Sequence, residues 1–136
     1  MDIERALSFL RDNHHSVLIT RKRDGDPQPS PVVHGVDDSG RVIISSREPA
    51  YKVRNLRRDP RAVLCAFGDG FFGPWVTVRG TAEIVSLPDA MDTLVALYRQ
   101  IRGEHPDWEE YRAAMVRERR LVIALAPDAA GPDRQG

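Results

Sequence analysis

The stretch REPAYKVRNLRRDPR, residues 47–61, carries six arginine or lysine side chains in fifteen positions. The whole chain is balanced, with 20 basic and 20 acidic residues, so the concentration of positive charge is local. Such a stretch can grip a nucleic acid, grip one small anion, or form a solvated helix face. Zero net charge, the lack of a second basic cluster and the lack of a basic strand interleaved with aromatics argue against nucleic acid. All but two of the basic residues are arginine, the exceptions being Lys22 and Lys52. Lys52 therefore places a compact ammonium among guanidinium forks, and the two groups do different work. Wound as a helix, the stretch puts Ala50, Val53 and Leu56 on a narrow apolar stripe. Lys52 and Asn55 fall on one flank, and Tyr51, Arg54 and Arg58 on the other. Ser45 and Ser46 stand just before, at the end of an apolar run. Strand-end hydroxyls beside a helix bearing lysine and asparagine make a set of donors suited to a phosphate.

Other reactive side chains point less clearly to chemistry. His14, His15 and His34, with Asp37 and Asp38, match no trusted metal-ligand spacing. His34 is kept as a weak catalytic candidate, because the family resemblance described below implies that its strand borders a cofactor, where it could touch substrate or donate a proton. His105, in GEHPDW, reads as a cap at a helix break. Ser16 and Ser30 lack a base and an orienting acid at recognisable spacing, which disfavours nucleophilic hydrolysis. Cys65, the single cysteine, excludes an internal disulfide and sits in AVLCAF as an inert, buried thiol. GDGFFG is glycine-rich but does not join a strand to a helix as a phosphate loop does, and reads as a hairpin loop.

The elements that must position these residues follow from periodicity. Ile3, Ala6, Leu7 and Leu10 recur at helical spacing, which predicts a short helix over residues 2–12. SVLITR, QPSPVVHGV and RVIISS are strands joined by the turns RDGDP and DDSG, short enough to force antiparallel neighbours. Pro29 and Pro31 cannot donate to a ladder, so the second strand is bulged or lies partly at an edge. Pro49 and Pro60 bracket a helix over residues 49–59. RAVLCAF and PWVTVRGTAEIVS are strands. Ser86 with Pro88 and Asp89 opens a helix carrying Met91, Leu94, Val95, Tyr98 and Ile101. A second helix aligns Trp108, Tyr111 and Met115, and LVIALA is the last strand. Residues 127–136, PDAAGPDRQG, read as a disordered tail.

The sum is a mainly β protein with flanking helices: six antiparallel strands in a small closed barrel, one domain over residues 1–126. The 136 residues suffice for one real core. The absence of a long apolar run argues against a membrane span. The N-terminal MDIERALSFLRDNHH lacks the pattern of a signal peptide, and the expectation is a cytoplasmic protein.

Two segments, SSREPAYKVRNLRRDPR and YRQIRGEHPDWEEYRAAMVRERR, stand in the order and spacing of the FMN-binding split-barrel superfamily. The chain resembles that superfamily over roughly residues 13–126, the fold of pyridoxamine 5′-phosphate oxidase. The closer likeness is to its actinobacterial branch that binds the deazaflavin coenzyme F420. The resemblance implies a six-stranded antiparallel split β-barrel and a homodimer with two interface cofactor sites. By position it implies that Ser45, Ser46, Lys52 and Asn55 hold the cofactor phosphate, with Arg54 a weaker candidate. Pro31 and Val32 would line the tricyclic ring, and Trp75 and Arg79 would reach in from the partner. The activity implied is hydride transfer between F420 and a small organic acceptor. The alternatives are an FMN-dependent oxidase or reductase in the same groove, and a non-catalytic carrier of F420, FMN or haem. The C-terminal tail departs from the pattern, lacking the aromatic and basic residues that often follow the last strand in relatives.

Overall fold

The computed structural model describes residues 1–135. Six antiparallel strands close into a barrel in the order β1-β2-β3-β6-β5-β4. They are β1 His15–Arg21, β2 Pro27–Val36, β3 Val42–Arg47, β4 Arg61–Phe67, β5 Pro74–Ser86 and β6 Arg120–Gln135. Four helices accompany them: α1 Ile3–Asp12, α2 Tyr51–Arg58, α3 Met91–Arg102 and α4 Trp108–Arg117. Among the described residues, no helix is long and apolar enough to cross a membrane.

Alternation along the strands separates an inner from an outer row. Leu18, Val42, Ile44, Leu64, Val78, Leu121, Ile123 and Leu125 fill the barrel. Helix α1 adds Ala6, Leu7 and Leu10 to that core, and α2 adds Val53 and Leu56. A second core lies outside the sheet, where Ile43 of β3 and Val122 and Ala124 of β6 pack under Leu94, Leu97 and Met115 of α3 and α4. Among the described residues, the outer rows of β2, β1, β4 and β5 lie outside that helix-covered core except at Gly35, which meets Leu97 and Gln100 of α3, and at Val85. In register, they run Val33–His15–Phe67–Trp75, Pro31–Val17–Cys65–Thr77 and Pro29–Ile19–Val63–Arg79.

The two strand prolines explain where the barrel opens. His34 N–H donates to His14 O of the strand-1 side, so even-numbered residues of β2 point their amides at β1. Odd-numbered residues point theirs at β3. Pro29 and Pro31 are odd-numbered and have no amide hydrogen to give. Accordingly, β2 pairs with β1 from Pro27 to Val33, whereas its ladder with β3 holds only His34, Gly35 and Val36. The sheet splits between the first half of β2 and the last half of β3.

Local boundaries differ from the sequence expectation in three places. Helix α2 begins at Tyr51, after a turn in which Ala50 N–H bonds to Arg47 O. Ser86 ends β5 instead of capping α3, and its hydroxyl donates to Glu48 Oε1 at 2.9 Å. The expected disordered tail is the second half of β6, paired with β5 as far as Pro74 and Gln135. Its polar, proline-containing sequence hides a strand because the pairing comes from a distant partner and not from local propensity.

Candidate functional site

The site grows from the split and from α2, which lies at its foot. On a helix of 3.6 residues per turn, Lys52 falls between Asn55 and Leu56, both buried. Its side chain is accordingly half-buried, on the arc that faces protein. Burial, and then the charge of Arg120, lower its pKa from the ordinary lysine value. Among the described residues it has no carboxylate partner, although nine ion pairs form elsewhere. A half-buried ammonium without a counter-ion is costly unless an anion arrives to supply one.

Hydroxyls stand on the same ground. Ser46 is buried on the inner row of β3, and Ser45 is half-buried on its outer row. Across the split, Ser30 lies on the inner row of β2, and its Oγ is buried with no hydrogen-bond partner. Buried hydroxyls are nearly always paired, so Ser30 is an orphan donor in want of an acceptor. Next in its row, Gln28 Oε1 accepts from Asn55 Nδ2 at 2.8 Å, which ties the foot of β2 to α2. Pro31 is exposed and Val32 half-buried on the same stretch of β2.

Several sequence candidates have other tasks. Asn55 was expected to donate to the phosphate. Its amide instead serves Gln28 and Thr20 Oγ1, the latter at 3.0 Å, while its Oδ1 accepts from Arg58 at 3.2 Å. Both of its donors are engaged, so it locks α2 onto the strands. Arg58 therefore sides with Asn55 and not with Arg54, and also donates to Arg21 O at 2.7 Å. Arg54 is exposed, its guanidinium 5.9 Å from the Tyr51 ring centre. Arg57 pairs with Glu48 at 2.9 Å, and the Ser86 hydroxyl bond and then Arg57 hold that carboxyl below its usual range.

His34 does not border the site. It is fully buried under α1, where Nε2–H donates to Leu10 O at 3.2 Å and Nδ1 accepts from Ser16 Oγ at 2.8 Å. Desolvation pushes its pKa from 6.5 down to about 4. A neutral imidazole sealed in the core neither touches substrate nor supplies a proton to it. Even numbering on β2 put it on the inner row, and that parity was readable once the prolines were assigned to the edge.

Trp75 and Arg79 lie on the outer row of β5, three strands away from Pro31. Trp75 lines an apolar groove of about 820 Å³ with His15, Cys65, Phe67 and Phe71. Arg79 lines a separate groove with Arg21 and Arg61. Within one chain Ser45 and Ser46 lie on the end of β3 that β2 leaves unpaired, Lys52 follows on α2, and Trp75 and Arg79 stand on the outer row of β5. Ser30 and Arg120 were missed by sequence reasoning. Ser30 was weighed only as a nucleophile, and Arg120 lies far from the basic stretch in sequence.

The profile of the pyridoxamine 5′-phosphate oxidase family matches residues 3–131, nearly the entire chain. The chain belongs to that family. Solved structures of the same fold bracket this family member. A conserved hypothetical protein from Mycobacterium tuberculosis superposes with a TM-score of 0.78 at 24% identity, covering 96% of this chain and 82% of that one. An F420 reductase gives 0.70 at 22% identity, covering 91% and 94%. A haem storage protein from Vibrio cholerae gives 0.73 at 17% identity, covering 100% and 98%. At these identities the likeness is one of fold, a six-stranded antiparallel barrel on which flavin-type cofactors are bound in the family.

The donor set suits such a cofactor. An unpaired ammonium and serine hydroxyls are groups that match a phosphate, with Ser30 and Ser46 on inner rows and Ser45 on the opposite face of β3. Along the edge of β2, Pro31 is exposed on the outer row and has no amide hydrogen to donate, while Val32 packs against the barrel core.

Proposed function

We propose that this protein is an F420-dependent oxidoreductase that transfers a hydride between the deazaflavin and a small organic acceptor. The observation that carries the reading is Lys52, half-buried and without a counter-ion, beside the serine hydroxyls and the orphan Ser30 Oγ. Lys52, Ser45 and Ser46 would bind the cofactor phosphate, and Pro31 and Val32 would seat its ring along the open edge of β2. When bound, the deazaflavin supplies the hydride chemistry, while the protein contributes binding, orientation and exclusion of water.

The same reading makes the protein a homodimer. The outer rows of β2, β1, β4 and β5 expose Val33 and Phe67, with Phe71 and Phe72 at 94% and 72% exposure on the adjoining loop. An apolar face of this kind is suited to a second copy. Trp75 and Arg79 on that face would then reach the partner's site.

The test is a side-by-side titration of the purified protein with F420 and with FMN, read by the fluorescence of each ligand. Tight F420 binding with weak FMN binding is expected. The reverse order moves the protein to the FMN oxidases and reductases, and no binding of either refutes the reading.

A second reading is a non-catalytic haem carrier. It is supported by the likeness to the haem storage protein and by His15, exposed beside Phe67, Phe71 and Trp75, where an imidazole is available to iron. Haemin titration that gives a sharp, saturable Soret band, lost in His15→Ala, would favour it.

A further inference from the structure

The start of β6 carries a charge arrangement that the fold itself does not need. Arg120 stands directly opposite Arg47 in the β3–β6 ladder, so both side chains leave the same face of the sheet. Like charges at directly opposed positions destabilise a ladder. Lys52, the first-turn lysine of α2, adds a third cation close enough for Arg120 to disfavour its protonation. Arg119 holds φ at 55°, a conformation uncommon outside glycine. Its carbonyl accepts from Glu48 N–H at 3.0 Å, and this strained turn sets the head of β6 beside the tail of β3.

The acidic groups nearby do not neutralise the cluster. Glu118 accepts from Arg120 Nε at 3.0 Å and lies 2.8 Å from its Nη2, but the pair joins neighbouring residues at the surface, with Arg120 29% and Glu118 43% exposed, and offsets one of the three cations at most. Glu48 is engaged by Arg57 and Ser86. The Tyr111 hydroxyl on the α4 side donates to Leu94 O at 3.0 Å. Among the described residues, neither Arg47 nor Lys52 has an ion-pair partner.

We infer that Arg120 is a phosphate-binding residue, acting with Lys52 so that two cations from different elements share one phosphate group at the split. The mutual repulsion of Arg47, Lys52 and Arg120 is relieved when that anion binds. The ligand class is an organic phosphate, and its identification with F420 or FMN rests on the function proposed above.

The experiment compares the wild type with Arg120→Gln and Arg120→Lys, in inorganic phosphate and in chloride of matched ionic strength. Thermal unfolding in chloride should leave Arg120→Gln as stable as the wild type or more so, because repulsion has been removed. Phosphate should raise the unfolding temperature of the wild type, raise that of Arg120→Lys in part, and barely move Arg120→Gln. FMN affinity should fall about tenfold in Arg120→Gln, as for a lost charge-assisted hydrogen bond, whereas riboflavin, with the same ring and no phosphate, should bind both alike. A lower stability in chloride with the phosphate response retained would make Arg120 structural and overturn the inference. So would equal losses for FMN and riboflavin, or a wild type indifferent to phosphate. An Arg120-dependent phosphate response in a protein that binds neither FMN nor F420 would sustain this site and refute the cofactor reading.

Discussion

Holding an ammonium on the buried arc of a short helix is unfavourable without a counter-ion, and that cost is what makes Lys52 informative. Lys52→Ala should weaken binding of a phosphate-bearing cofactor by about 1.5–3 kcal/mol, the range for a hydrogen bond to a charged group. Arg57→Ala should leave it unchanged, because that guanidinium already serves Glu48; isothermal titration of both variants decides the matter, and equal losses would mean a diffuse electrostatic grip. His34 belongs to stability. Its folded pKa is depressed to about 4 from 6.5, so the unfolded chain takes up the extra proton. Stability from the neutral imidazole is complete above about pH 6.5 and is lost as pH falls toward 4, by about 3 kcal/mol in all. Urea midpoints should therefore fall between pH 7 and pH 5, and less steeply in His34→Gln. Identical slopes in the two proteins would exclude this role.

At the scale of elements, the barrel is drawn together where backbones approach closely. Gly80 sits at a register shift between β5 and β6, and a Cβ there would overlap the carbonyl oxygen of Ala126. Because that obstacle is backbone, Gly80→Ala should destabilise by about 1–3 kcal/mol, read as a lower urea midpoint at unchanged slope. Gly35 is different in kind. Its Cβ would meet the Gln100 side chain, whose amide bonds both Val36 N–H and Val36 O, at 2.7 and 2.8 Å. Much of this scale was legible. The 2-residue and 3.6-residue periods placed every strand and helix, and PQPSP announced an edge. The long β6 was not legible beyond LVIALA, since proline, glycine and aspartate dominate its second half.

The whole molecule adds what one chain's elements cannot decide. Residues 127–135 pair with β5 and help to close the barrel, so ending the chain after Ala126 should lower stability by well over the roughly 0.5 kcal/mol of a neutral surface change. Unchanged thermal unfolding would return those residues to the status of a loose tail. The bare outer face makes a different prediction. On the proposed reading, Phe67→Asp places a charge in the Val33–His15–Phe67–Trp75 row of that face, and should shift sedimentation from dimer to monomer. On the proposed reading it should also abolish cofactor binding without touching Lys52. A dimer that survives Phe67→Asp would mean that the second copy docks elsewhere.

By itself, the sequence determined the elements as far as Ala126, the antiparallel barrel and a second strand interrupted at Pro29 and Pro31, and it raised the strand-end serines with Lys52 as a candidate anion site. These follow from local periods, from a missing amide and from side-chain chemistry, none of which needs knowledge of distant neighbours. Only the tertiary structure decided that Asn55 serves Thr20 and Gln28, that His34 is sealed beneath α1, and that Ser30 is left without a partner. It alone set Arg120 opposite Arg47 and beside Lys52. Those outcomes depend on which residues of remote segments meet across the barrel, and contacts made through space between strands far apart in the chain leave no periodic trace in it.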